Sequence, residues 1–221
     1  MQTITPSEFH QADGAEDWRV VGDGACTFFP IGSFAESARL VQAIGELPGV
    51  EEHRPDVDVR PDGVTVRLIT VAESYYGMSM DDLELARQIS VAARGLGLSA
   101  DPSAAQSVLI IPGAPDIAKV MPFWQAVLGY ERRNDTPDED LVDPRRRGPA
   151  FWFEPMDEPR ADGGGAIHVA VWMPYEQAEA RLAAALDAGG RMVRDEFAPA
   201  WWTLADAAGN EADIATILER D

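Results

Sequence analysis

The first hundred residues alternate between the two-residue spacing of strands and the helical spacing of apolar positions. Strand pairs are predicted over 18–21 with 25–31 and over 57–60 with 64–70, each joined by a glycine-containing turn. Helices are predicted over 6–11, over 34–47 after the capping residue Ser33, and over 81–96. The order strand pair, helix, strand pair, helix predicts an α+β domain with an antiparallel sheet and helices on one face.

The second half of the chain shows a strand, a helix and three further strands, twice over. The first cycle has a strand over 108–111, a helix over 117–128, and strands near 130–133, 141–143 and 150–154. The second has a strand over 167–173, a helix over 175–188, and strands near 192, 201–205 and 212–217. This repeat predicts paired βαβββ modules that share one sheet surface. Small and polar residues over 100–106 indicate a linker, so we expect domains over 1–101 and 106–221.

Composition and charge limit the classes of binding partner to be expected. Hydrophobic residues make up 46% of the chain and charged residues 25%, which is typical of a folded protein. The formal net charge of -20 disfavours nucleic acid and anionic membranes as partners. The chain has no cationic leader and no long apolar run, and Cys26 is its single cysteine, so we expect a cytoplasmic protein without disulfides.

The strings TFFPIGSFAESARLVQAI, EEHRPDVDVRPDGVTVRLIT and GMSMDDLELARQISVAARGLGLSADP resemble the pterin-4a-carbinolamine dehydratase family. With Trp18, the resemblance covers about the first 100 residues. The family is expected to use histidines from a His-His-Pro triplet and a Thr-His pair for proton transfer. Removing water from a 4a-hydroxytetrahydropterin requires one group to protonate the leaving hydroxyl and another to take the N5 proton, and imidazole suits both.

The resemblance implies a reduced catalytic set. The triplet is His53-Arg54-Pro55 and the pair is Thr70-Val71, so one histidine remains of three. We predict His53 as the acid/base, Arg54 as a charged group that orients the substrate, and Pro55 as a substrate contact. Asp81, with Asp82 as the alternative, corresponds to the aspartate with which the family opens its last helix, and the resemblance implies that it contacts the substrate.

The strings FWQAVLGYE, VDPRRRGPAFWFEPM, IHVAVWMP and WWTLADAAGNEADIATI resemble the glyoxalase/bleomycin-resistance group of the vicinal oxygen chelate superfamily. The resemblance covers roughly residues 106–218, and its signatures include Phe123-Trp124 and the turn over 206–210. Metal-using members take ligands from the first strand of each module and from the last strand. The resemblance therefore points to His168 and to Asp213 or Glu211 as weak metal candidates.

The strand SVLIIPG offers no ligand in its apolar core, and Gln106 would complete a triad only in a shifted register. Because a catalytic centre usually has three protein ligands, we expect no bound metal and no other cofactor. His168 is then either a sheet histidine with a structural hydrogen bond or a ligand contact. Trp152 and Trp172 are expected to line a cavity suited to a flat aromatic ligand.

Two functions follow as expectations. The first is dehydration of 4a-hydroxytetrahydropterin, weak or lost, by a domain fused to a metal-free glyoxalase-like domain that binds a small molecule, a pterin or another flat aromatic compound. The alternative is a non-catalytic binding or oligomerisation protein that sequesters a small aromatic ligand. Both resemblances imply a homodimer.

Overall fold

The computed structural model describes residues 1–156, 167–205 and 211–219. These residues form two compact units, Met1–Gln106 and Ser107–Glu219. Among the described residues, none of the helices combines the length and the apolar character that crossing a bilayer requires.

The first unit is built on a four-stranded antiparallel sheet with the strand order β1-β2-β4-β3. Its strands are β1 (Arg19–Val21), β2 (Gly24–Pro30), β3 (Asp56–Arg60) and β4 (Gly63–Leu68). A small hairpin, β5 (Thr70–Ala72) with β6 (Tyr75–Gly77), follows β4, and the helices are α1 (Pro6–Gln11), α2 (Phe34–Gly45) and α3 (Met80–Gly95). A 3-10 turn at Pro102–Ala104 closes the unit.

The core of this unit forms where the sheet and the helices bury their apolar residues. Val64, Val66 and Leu68 alternate along β4 and are fully buried, as period-two spacing requires of a strand with one face covered. Trp18, also fully buried, donates from its Nε1 to the Ala86 carbonyl oxygen at 3.2 Å and to Ser90 Oγ at 3.1 Å. These bonds attach the start of the sheet to α3. The predicted antiparallel sheet with helices is confirmed.

The second unit contains one mixed sheet of nine strands and two helices, α4 (Ile117–Leu128) and α5 (Tyr175–Asp187). Its strands are β7 (Ser107–Ala114), β8 (Glu131–Arg132), β9 (Asp140–Val142), β10 (Ala150–Trp152), β11 (Glu154–Pro155), β12 (Ile167–Trp172), β13 (Arg191–Arg194), β14 (Trp201–Ala205) and β15 (Glu211–Ala215). The order is β13-β14-β15-β12-β7-β10-β9-β8, with β11 paired to β7. The antiparallel pair β7–β12 joins the two modules, so the expectation of one shared sheet is confirmed.

Both helices of this unit pack against the same face of the sheet. Phe151 and Phe153 belong to the cluster around Met121 of α4, and Leu204 and Ile214 to the cluster around Ala178 of α5. Because successive strand residues point to opposite faces, their neighbours lie on the other face. We call this the distal face and define it by Trp152, His168, Trp172, Trp201, Thr203 and Asp213. The predicted turn over 206–210 lies outside the described residues.

Candidate functional site

His53 lies in the first unit, between α2 and β3. Its backbone N–H donates to the Gly49 carbonyl oxygen at 3.1 Å, which holds the turn after α2. Its Nε2 lies 2.5 Å from Asp82 Oδ1. The His53 side chain is 20% exposed and that of Asp82 is fully buried. The pair therefore has one member open to a ligand and one sealed in the protein.

Asp82 is held at the start of α3. Ser79 is the N-cap of this helix, and its Oγ accepts from the Asp82 N–H at 3.3 Å. In return, Asp82 Oδ2 accepts from the Ser79 N–H at 2.7 Å, from Ser79 Oγ at 2.9 Å and from Thr70 Oγ1 at 2.8 Å. This capping box gives the buried carboxylate the hydrogen bonds it needs.

This geometry distinguishes the two aspartates at the start of α3. Asp81 is exposed, whereas Asp82 occupies the third helical position and folds back toward the N-cap. Sequence reasoning also missed Ser79, although the spacing Ser-x-x-Asp before a helix is a signal of a capping box.

The electrostatics of the pair favour the protonated imidazole. The hydrogen bond to Asp82 raises the pKa of His53, partial burial opposes this, and the charges of Asp82 and Asp81 raise it further. Because Nε2 is engaged with the carboxylate, the ring nitrogen left for a ligand is Nδ1. Within the described part of the chain, no group is bonded to Nδ1.

The hairpin after β4 supplies Thr70 and replaces the continuous strand predicted to residue 70. The sheet strand ends at Leu68, and β5 pairs with β6 so that Thr70 lies opposite Gly77. Tyr75 closes the hairpin by donating from its hydroxyl to the Met78 carbonyl oxygen at 2.5 Å. Val71, where the resemblance expects a histidine, is 42% exposed.

Arg54 and Pro55 follow His53 in the chain and take no part in its hydrogen bond to Asp82. The Arg54 side chain is 76% exposed, and its Nε and Nη2 donate to Glu51 Oε2 at 3.1 and 2.7 Å. Pro55 is half-buried just before β3. The structure thus brings together His53, Asp82, Thr70 and Ser79, and it directs the Arg54 guanidinium to Glu51 instead.

A second histidine–aspartate pair lies on the distal face of the second unit. His168 Nε2 of β12 lies 3.4 Å from Asp213 Oδ2 of β15, and their side chains are 22% and 12% exposed. Thr203 Oγ1 of β14 donates to Asp213 Oδ1 at 2.6 Å. The hydrogen bond to Asp213 raises the pKa of His168, burial opposes it, and the charges of Asp213, Glu154 and Glu211 add to the increase.

These residues do not fit the metal centre of the metal-using relatives. His168 pairs in register with the apolar Ile111 on the first-module strand. The register begins at Ser107, so Gln106 lies beyond the strand end rather than opposite His168. Asp213 already bonds both His168 and Thr203. Among the described residues, no three His, Cys, Asp or Glu side chains are grouped to hold an ion.

Comparisons with known proteins agree with this division. Residues 2–92 match the family model described as pterin 4 alpha carbinolamine dehydratase, and residues 108–215 match that of a glyoxalase-like domain. A Nocardia farcinica (strain IFM 10152) protein, provisionally named pterin-4-alpha-carbinolamine dehydratase, is 36% identical over 78 residues, which are 35% of this chain and 80% of that protein.

Two solved structures resemble about half of the chain. One is an NAD-dependent benzaldehyde dehydrogenase from Legionella pneumophila, with 11% identity, a TM-score of 0.35, and coverage of 49% of this chain and 97% of that one. The other is a glyoxalase/bleomycin resistance protein/dioxygenase superfamily member from Vibrio splendidus 12B01, with 16% identity, a TM-score of 0.33, and coverage of 51% and 99%. TM-scores this low carry no argument about function. The family matches and the Nocardia farcinica relative show that the chain belongs to the pterin-4a-carbinolamine dehydratase family through its first domain and carries a glyoxalase-like second domain.

Proposed function

We propose that the first domain dehydrates a 4a-hydroxytetrahydropterin and that His53 transfers both protons. The observation that carries this proposal is the bond between His53 Nε2 and the buried Asp82, which leaves Nδ1 for the substrate. Family membership supports the reaction class, and the raised pKa of His53 supports a protonated imidazole near neutral pH.

The proposed reaction uses one imidazole twice. The imidazolium gives its Nδ1 proton to the 4a-hydroxyl, the C4a–O bond breaks, and water leaves while the N5 lone pair forms the C4a–N5 double bond. The neutral Nδ1 then takes the N5 proton, which restores the imidazolium and releases the dihydropterin. Asp82 balances the charge of the imidazolium throughout.

The proposed enzyme is a weak one. Val71 has no proton to transfer, and the Arg54 guanidinium stays charged and bonds to Glu51. Both protons then pass through His53 in sequence, instead of through separate groups placed on either side of the substrate. A role for Arg54 in orienting the substrate stays a prediction.

The test is the rate of 4a-hydroxytetrahydropterin dehydration above the spontaneous background. We expect the full chain to accelerate the reaction and His53→Ala to lower that acceleration by roughly 100-fold or more, the usual contribution of a positioned acid/base group. Arg60→Ala is the control, and we expect it to stay close to the wild-type rate because the Arg60 side chain is largely exposed and bonds to Asp58. No acceleration by the wild type would reject the proposal and favour a non-catalytic binding or oligomerisation role.

For the second domain we propose metal-independent binding of a small aromatic molecule. Trp152, Trp172 and Trp201 are half-buried and share the distal face with His168. Indole rings supply large flat contacts for such a ligand. The metal content of the purified protein tests this role, and a stoichiometric divalent ion would contradict it.

A further inference from the structure

The two domains contain similar three-residue arrangements built on different elements: a turn, helix α3 and strand β5 in the first domain, and strands β12, β15 and β14 in the second. In each, Nε2 of a partly exposed histidine lies close to an aspartate oxygen, at 2.5 Å in the first domain and 3.4 Å in the second, and the other oxygen of that carboxylate accepts from a threonine hydroxyl. The first set is His53, Asp82 and Thr70; the second is His168, Asp213 and Thr203. The second set has no part in the proposed dehydration, so its purpose must be sought on its own face.

The second set is arranged to orient an imidazole. Asp213 of β15 pairs in register with Ala170 of β12, two residues along that strand from His168. Thr203 of β14 pairs directly with Asp213. Three neighbouring strands therefore fix the three side chains. With Nε2 bonded to Asp213, the ring offers Nδ1 to a ligand, and no group of the described residues is bonded to it. This is the geometry of a hydrogen-bonding group aimed at a ligand rather than of a metal ligand.

The charge around His168 is negative. Besides Asp213, the carboxylates of Glu154 and Glu211 act on His168 from β11 and β15. The charges of three carboxylates therefore act on one imidazole, so this part of the face stays negative even when His168 is protonated. A negative surface attracts cations and repels anions.

The aromatic residues of the distal face favour the same kind of ligand. Trp172 lies on the strand of His168, and Trp201 lies on the strand of Thr203. Trp201 also stacks on Phe197, with ring centroids 4.3 Å apart and planes at 14°, which fixes the plane of the indole. Indole faces attract positive charge more strongly than other side-chain rings do.

We propose that the distal face binds a planar nitrogen heterocycle that carries positive charge, stacked on tryptophan and hydrogen-bonded at its ring edge by His168. Asp213 and Thr203 act as positioning residues for that imidazole. The inference rests on the metal-free binding role proposed for the second domain and is independent of dehydration at His53.

The test compares two three-ring probes of opposite charge, proflavine as the cation and anthracene-2-carboxylate as the anion, titrated into the full chain with tryptophan fluorescence as the readout. We expect the cation to bind at least about tenfold more tightly at low salt. Equal affinity for both probes would overturn the charge assignment and leave the binding role standing. If neither probe binds, the binding role fails as well.

A matched pair of variants separates this site from the general attraction of an acidic protein. Glu154→Gln with Glu211→Gln removes two charges beside His168, and we expect it to weaken proflavine binding about tenfold. Glu179→Gln with Asp187→Asn removes two exposed charges from α5, which packs on the opposite face, and should leave the affinity unchanged. Equal losses in both double variants would overturn the proposal.

The positioning role has its own readout. Asp213→Asn should lower the pKa of His168 in an NMR titration and weaken proflavine binding, whereas Thr203→Val should do the same to a smaller extent. The dehydration rate at His53 and the thermal unfolding of each variant report whether the chain is still folded. An unshifted His168 titration in a folded Asp213→Asn protein would refute the assigned arrangement.

Discussion

At the scale of single residues, the molecule separates the group that faces a ligand from the group that controls it. Asp82 is fully buried, and a buried carboxylate is tolerated when it is well hydrogen-bonded. Its two oxygens receive bonds from the His53 ring, two hydroxyls and a backbone N–H. His53 thereby keeps a defined ring orientation at a partly exposed position, which is what a proton-transfer group requires.

The first residue-scale prediction concerns the pH profile of dehydration. Asp82 raises the pKa of His53, so Asp82→Asn should lower it, and the imidazolium should then be lost at a lower pH than in the wild type. We expect the falling limb of the rate profile and the NMR titration of His53 to move together to lower pH. Asp81→Asn is the control, because the exposed Asp81 acts on His53 through its charge alone. Equal shifts in the two variants would contradict a direct role for the hydrogen bond.

At the scale of secondary structure, the start of α3 places Asp82 under His53. Local signals made this helix and the others predictable, since caps and apolar spacing lie within a few residues of one another. The helix predicted over 81–96 is observed at Met80–Gly95, and that over 117–128 is observed at Ile117–Leu128. The hairpin from Thr70 was missed, because its two strands are three residues long and give a weak alternating pattern.

The choice between Asp81 and Asp82 could not be made from local pattern. Either aspartate suits the positive end of a helix, and the contact that distinguishes them joins residues 29 positions apart. The same limit applied to His168 and Asp213, which were each recognised from the resemblance as metal candidates. The sequence does not reveal that they bond to each other, because that bond depends on the register between β12 and β15.

A prediction at this scale compares two N-caps. Ser79→Ala should lower the free energy of unfolding by about 2 kcal/mol or more, because it removes the cap and one bond to the buried Asp82. Ser33→Ala removes the N-cap of α2, whose hydroxyl accepts from the Glu36 N–H at an exposed position. This variant should lower the free energy of unfolding by about 1 kcal/mol. Ser79→Ala should also reduce the dehydration rate, whereas Ser33→Ala should not. Urea unfolding and the rate assay measure both effects, and an unchanged rate in Ser79→Ala would contradict the role given to the capping box.

At the scale of the whole molecule, the chain holds two histidine–aspartate pairs in a strongly acidic protein. The formal net charge is -20, and it is shared equally between residues 1–101 and the remainder. Self-repulsion of this size opposes folding and is reduced by protonation or by salt. The two imidazoles differ from the other basic groups, since each is partly buried against a carboxylate and has a raised pKa.

The pH dependence of stability should therefore contain a part that belongs to these two histidines. Their pKa values are raised in the folded protein, so their stabilising contribution is complete below the unfolded value of about 6.5 and is lost as the pH rises through the folded values. The urea midpoint of the wild type should therefore decrease as the pH rises above about 6.5. His53→Gln combined with His168→Gln should reduce this fall, while the general charge repulsion affects both proteins alike and cancels in the difference. If the double variant kept the full pH dependence, the pKa values of the two histidines would be the same in the folded and unfolded chains, which would contradict the aspartate contacts assigned to them.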